Sequence, residues 1–167
     1  MKKLRRLLAL PALTVVVLDQ ISKLLVVYTL DIHQSVPVVH GFFNLVHVRN
    51  RGMAFGLLNR QGIDFTFYFL IVATIGAIAL MLFWFSRLKP EERRIVFGLS
   101  LIIGGAVANL IDRIRLREVV DFLDFYIGSY HWPAFNLADS AITVGTLWLA
   151  VNMIFQHSSK QKRLREE

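Results

Sequence analysis

Long apolar runs separated by short basic stretches set the pattern of this chain. Residues 63–85 form the cleanest run, with Asp64 at its edge as the only charge. At 1.5 Å per residue, about 20 apolar residues cross a bilayer, so this run is long enough. Residues 95–113 form a second such run, with Gly98, Gly104 and Gly105 among alanines, and small residues let membrane helices approach closely. A third covers 138–156. The first 30 residues are less regular. A basic start (Lys2, Lys3, Arg5, Arg6) leads into apolar residues 7–18, which imitates a secretion signal. No small-x-small cleavage site follows, and the run resumes at residues 24–30 after Asp19-Gln20-Ile21-Ser22-Lys23. Asp19 and Lys23 are i, i+4 and share one helix face, where they can pair inside a span. Whether they serve the fold or a site stays open at this stage.

Four spans are therefore expected, at about 7–30, 63–85, 95–113 and 138–156. Between the first two, residues 31–62 change character, with five glycines or prolines (Pro37, Gly41, Gly52, Gly56, Gly62) around β-favouring stretches at 36–39 and 42–48. Partial alternation of apolar and polar side chains predicts a small sheet-like insert there. Residues 114–137 are expected as an outer loop, and the polar tail from His157 as a frayed end. The fold class is an α-helical integral membrane protein: four transmembrane helices with a small extracytoplasmic β-sheet insert, in one domain.

Composition agrees with a membrane protein. Of 167 residues, 55% are hydrophobic and mean hydropathy is +0.53. The net charge of +7 is a topological signal here, and nucleic acid is not an expected partner. Twelve of the nineteen Lys and Arg fall in three groups of four: the N-terminus, residues 87–94 and the C-terminal tail. The positive-inside rule then puts both termini in the cytoplasm and the insert outside. Six arginines on the outer side (49, 51, 60, 113, 115, 117) depart from that rule. The chain has no cysteine, and its five histidines lack metal-ligand spacing, so neither a metal site nor a cofactor is expected.

The chemistry concentrates between Gly104 and Ser140, where Asp112, Asp121, Asp124 and Asp139 stand in a chain poor in acids. Asp121 and Asp139 adjoin apolar runs, and ionisable groups at membrane depth usually have a function. Two carboxylates brought close cannot both ionise cheaply, so one keeps a proton while the other acts as base. Such a pair activates water and protonates a leaving amine. Asp124 rivals Asp121 for the pairing with Asp139, and the more apolar setting favours Asp121. Asn109 and Arg113 are i, i+4 on the third span. Asn136, Asp139 and Ser140 stand together at the head of the fourth, where helix capping explains them equally well. Asp112 with Arg113 reads as an interfacial ion pair. A four-span transporter or assembly subunit using Asp19, Lys23 and the outer acids is the alternative function, although no internal repeat supports it.

Five stretches carry a family resemblance: Asp19 to Lys23, Arg49-Asn50-Arg51-Gly52-Met53-Ala54-Phe55, Gly104-Gly105-Ala106-Val107-Ala108-Asn109-Leu110-Ile111-Asp112-Arg113, Val119-Val120-Asp121-Phe122 and Phe135-Asn136-Leu137-Ala138-Asp139-Ser140. In this order the chain resembles the bacterial signal peptidase II family, the lipoprotein signal peptidases. Ala108 departs from the glycine common in the family and removes no functional group. The resemblance implies an aspartyl endopeptidase of the inner membrane that cleaves prolipoproteins before a diacylglyceryl-modified cysteine. It implies Asp121 and Asp139 as the catalytic pair, with substrate-binding or supporting roles for Asp19, Lys23, Asn50, Gly52, Asn109, Arg113, Asn136 and Ala138. It further implies membrane lipids as partners and inhibition by globomycin-type compounds.

Overall fold

The computed structural model describes residues 2–52 and 64–166, with side-chain detail for 3–52 and 65–155. Met53, Ala54 and Phe55 of the second motif, Arg60, and the start of the 63–85 run lie outside the described residues. Four helices, α1 (Lys2–Thr29), α2 (Asp64–Arg87), α3 (Arg93–Leu116) and α4 (Leu137–Glu166), are each long and apolar enough to cross a membrane. Four strands, β1 (Ser35–Val39), β2 (Phe43–Asn50), β3 (Val119–Ile127) and β4 (Tyr130–His131), form one antiparallel sheet in sequence order. The protein is thus an α-helical membrane protein carrying a small antiparallel sheet.

Helix α3 is the hub. It packs against α4, α1 and α2, and 61% of its apolar window is buried, against 17%, 6% and 17% for α1, α2 and α4. Two adjacent glycines make that position possible. A methyl at Gly104 would stand 2.7 Å from the Ala12 carbonyl oxygen of α1, and one at Gly105 would strike the Ala138 carbonyl of α4. Small residues allow backbones to approach where lipid gives no hydrophobic drive for association.

Two apolar clusters bracket the helix bundle. Leu4, Leu88, Ile95, Val96, Leu99, Ile103 and Leu149 fill one end. At the other, Val26 of α1 packs on Val120 and Phe122 of β3, joining bundle to sheet. Full burial of each such side chain contributes about 1.5–3 kcal/mol. The polar residues of α1 and α3, at 19–23 and 109–113, fall between the two clusters.

The sheet differs from expectation in its extent. Of the expected insert, the described residues 31–52 supply β1 and β2, while β3 and β4 come from the segment expected as a loop. Val119–Ile127 reads VVDFLDFYI, rich in β-branched and aromatic residues that suit a half-buried pleat. Its two aspartates obscure that signal. The tail also departs from expectation: the backbone of α4 stays helical through Glu166. It holds no Gly or Pro beyond the span, and Gln, Lys, Arg and Leu continue a helix already nucleated.

A β-bulge sets the faces of the sheet. Leu45 pairs with Leu123, but Val48 pairs with Asp121, so Val46 and His47 stand opposite Phe122 alone. One extra residue exchanges the two faces of the strand beyond it. His47 anchors the bulge: its Nδ1 bonds the Leu30 carbonyl at 2.9 Å and its Nε2 accepts from Arg49 Nε at 3.0 Å. A carbonyl on one side and a guanidinium on the other put the ring proton on Nδ1.

Candidate active site

Asp121 leaves β3 on the face toward α3 and α4, and Asp139 lies in the first turn of α4. Both line one cavity of about 660 Å³, together with Asn50, Asn109, Arg113, Phe135 and Ser140. Trp132, Pro133, Ile142 and Val144 give it apolar walls.

Three asparagines hold the two carboxylates. Asn136 Nδ2 donates to Asp121 Oδ1 at 2.7 Å, and Asn50 Nδ2 donates to Asp121 Oδ2 at 2.9 Å. Asn109 Nδ2 donates to Asp139 Oδ1 at 2.8 Å. Each asparagine is oriented in turn by a group that can only donate. The Gly52 amide donates to Asn50 Oδ1 (2.9 Å), the Asp139 amide to Asn136 Oδ1 (3.0 Å), and the Lys23 ammonium to Asn109 Oδ1 (2.9 Å). The amide NH2 groups are thereby fixed toward the carboxylates. Asn136 is also the N-cap of α4, with Asp139 returning a 3.4 Å contact to the Asn136 amide, as in a capping box. Capping and carboxylate binding are therefore one arrangement.

Among the described residues, neither Asp121 nor Asp139 forms an ion pair. Burial and the nearby Asp139 charge push Asp121 up from the usual carboxylate range to about 7, against the lowering by Asn50 and Asn136. Asp121 thus keeps its proton to near neutrality beside a second carboxylate, an arrangement that can combine an acid and a base. Arg113 donates to the Gly52 carbonyl at 3.3 Å and lines the cavity, so it braces the turn that orients Asn50.

Asp19 and Lys23 lie behind the cavity, buried, as an i, i+4 ion pair of 2.7 Å. Asp19 Oδ1 also accepts from the Ala138 amide at 2.8 Å, which occupies an otherwise unpaired donor in the first turn of α4. Asp112 pairs with Lys23 at 2.8 Å, correcting the expected pairing with Arg113. It also accepts from Gln20 (2.8 Å) and the Val120 amide (3.4 Å), tying the end of α3 to β3. Adjacent residues on a helix point about 100° apart, so Asp112 and Arg113 diverge. Gln20 and the Trp132–Phe135 wall were given no role from sequence, and Asp112 was read only as a partner of Arg113, because its contact with Lys23 depends on the packing of α1 on α3.

Asp124 does not line the cavity. It accepts from Asn44 Nδ2 at 2.9 Å and pairs with His131 Nδ1 at 2.9 Å. No group of three or more metal-ligating side chains occurs among the described residues.

Comparison with known proteins identifies the family. The family model described as signal peptidase (SPase) II matches residues 11–155. A lipoprotein signal peptidase of Desulforapulum autotrophicum is 50% identical over 150 residues, covering 89% of this chain and 91% of that one. One from Syntrophus aciditrophicus is 44% identical over 160 residues, covering 96% and 99%. Among solved structures, a bacterial membrane enzyme determined in meso at 2.3 Å superposes with TM-score 0.83 at 32% identity, covering 92% of this chain and 90% of that chain. With most of its length matched by both the family model and close relatives, the chain belongs to the signal peptidase II family.

Proposed function

We propose that the protein is an aspartyl endopeptidase that removes signal peptides from diacylglyceryl-modified prolipoproteins, cleaving before the lipidated cysteine. The observation that carries this reading is the convergence of Asp121 and Asp139, from a strand and a helix, on one largely apolar cavity, with amides as their direct partners among the described residues. One carboxylate takes a proton from water as its oxygen attacks the scissile carbonyl. The protonated partner donates to the developing oxyanion, and the leaving amine then collects a proton from the pair. No metal or cofactor is required.

The distribution of Lys and Arg supports cytoplasmic termini and a sheet on the outer side, with the protein in the bacterial inner membrane. The dyad then lies near the outer surface, where a cysteine anchored by acyl chains would present its peptide bond. Lipid-held acyl chains and a signal helix against the bundle orient that bond. Globomycin-type inhibitors would compete for the same cavity. Asn109, Asn136 and Asn50 orient the dyad, while Arg113 faces the cavity where a substrate carbonyl or lipid oxygen would bind. Nothing in the fold favours the transporter alternative.

The test is a gel-shift cleavage assay with purified protein in detergent, comparing diacylglyceryl-modified prolipoprotein with its unmodified precursor. Cleavage of the modified form alone, lost in Asp139→Asn, is the expected result. A folded wild-type preparation that cleaves neither form would overturn the reading.

A further inference from the structure

The buried trio behind the cavity goes beyond what the dyad itself requires. The Lys23 ammonium donates to Asn109 Oδ1 at 2.9 Å and forms ion pairs with Asp19 Oδ2 at 2.7 Å and Asp112 Oδ2 at 2.8 Å. Its side chain is 4% exposed, and those of Asp19 and Asp112 are 0% and 4%. Burying these charges is expensive, and exchanging a buried ion pair for apolar residues is often neutral or stabilising. Two helices could be joined with less.

We propose that Lys23 is a positioning residue for Asp139, fixing the Asn109 amide so that its NH2 is held against the carboxylate, with Asp19 and Asp112 holding the ammonium in place. This inference rests on the dyad reading above and adds a residue that acts through another. An ammonium cannot accept a hydrogen bond, so Asn109 can meet it only with Oδ1. The NH2 group then has one direction left, toward Asp139 Oδ1. A neutral or apolar residue at position 23 would leave the amide free to turn and present its oxygen to the carboxylate. The same trio reaches Asp139 by a second route, because Asp19 Oδ1 fixes the Ala138 amide one residue earlier. Asp139 is therefore held at its side chain and through its backbone by a single buried cluster.

The charged groups around Lys23 are Asp19 on its own helix, Asp112 and Arg113 on α3, Asp121 on β3 and Asp139 on α4. Its positive charge favours ionisation of Asp121, so removing it should move the alkaline limb of the pH–rate profile upward. A helix-locking role would leave that limb in place.

The experiment compares Lys23→Met, the charge-balanced pair Asp19→Asn/Lys23→Met, Asn109→Leu, and Lys23→Met combined with Asn109→Leu. The kcat and KM on lipidated prolipoprotein, the pH profile and the melting temperature in detergent are measured for each. The charge-balanced pair is expected to fold and to lose at least ~10-fold in kcat with KM within about twofold, while Lys23→Met alone is expected to raise the alkaline limb. Adding Asn109→Leu to Lys23→Met should cost little more, because both act on one interaction. A folded charge-balanced variant with wild-type kcat, or losses that multiply, would overturn the proposal. Should the position-23 variants not fold, Asn109→Asp decides. It keeps an oxygen for Lys23 but has no NH2 for Asp139, so full activity overturns the proposal and a tenfold loss at unchanged melting temperature supports it. Full activity in Lys23 variants beside an inactive Asp139→Asn sinks only this inference, whereas an active Asp139→Asn sinks the dyad.

Discussion

Asp121 and Asp124 stand three residues apart on one strand, both nearly fully buried, and the structure gives them opposite surroundings. Side chains alternate faces along a strand, so an odd spacing separates them. Among the described residues Asp121 accepts from two amides, it borders the cavity, and another carboxylate lies near it. Asp124 has an asparagine on one oxygen and a histidine against both, and it does not line that cavity. The contrast extends across the sheet. Asn44 and Asn50 are six apart on β2, an even spacing that a regular strand would keep on one face. The bulge at Val46–His47 divides them, giving Asn44 to Asp124 and Asn50 to Asp121. What sets the two buried carboxylates apart here is less their depth than the partners and the cavity that each face of the strand provides.

The harshest break of this comparison is Asp121→Asn. The amide cannot act as base or exchange the shared proton, and cleavage of lipidated prolipoprotein should fall by at least ~10³-fold with the fold intact. A purified variant retaining a tenth of wild-type turnover would refute the role given to Asp121. Asn50→Leu is the next step down. It removes one of the two donors to Asp121 and leaves the chain of charge intact, so kcat should drop by about 10–100-fold, as typical for a lost positioning bond in an active site. Steady-state kinetics with KM within a few-fold of wild type would confirm that positioning, and not binding, is affected.

How far the sequence revealed these two sides follows from the range of the interactions involved. The helices were legible because each span is a local property of consecutive apolar residues. The strands at 36–39 and 42–48 were also legible, from local β-favouring composition. The Asp19–Lys23 pair was readable from an i, i+4 spacing, and its ion pair forms. Strand β3 was hidden by its own aspartates, because its partner, β2, lies some 75 residues earlier and no local pattern announces that pairing. The bulge was hidden for the same reason: it is a mismatch between two strands and belongs to neither alone. The preference for Asp121 over Asp124 rested on an apolar neighbourhood, whereas the structure separates them by face and by partner. Asp112 beside Arg113 suggested a local pair, and only the packing of α1 on α3 brings Lys23 to it.

The comparison also carries a pH signature. Asp121 is raised from 3.8 to about 7 in the folded protein, while in the unfolded chain it ionises near pH 4. Between those values the native state holds the extra proton, so stability falls as pH rises and the fall ends above about 7. Asp121→Asn lacks this loss. Its melting temperature should therefore gain on wild type, by several degrees, as pH is raised from 4 to 7 in detergent. A constant difference across that range would show that Asp121 is not held protonated. The activity of wild type should decline on the alkaline side from near the same pH, as the shared proton leaves.

The smallest effect belongs to Asp124→Asn. One oxygen remains to accept from His131, and Asn44 can turn its amide to meet the new NH2 group, so the local bonds survive in neutral form. The stability cost should be about 1 kcal/mol, the usual worth of a hydrogen bond weakened but not orphaned. Activity should stay within about threefold of wild type, since the residue faces away from the cavity and reaches the dyad through no shared partner. His131 does lead directly into Trp132 and Pro133 of the cavity wall, so any residual effect should appear in KM, through the wall, before it appears in kcat. A kcat loss as large as that of Asp121→Asn would erase the distinction between the two faces of β3 and return Asp124 to the catalytic pair.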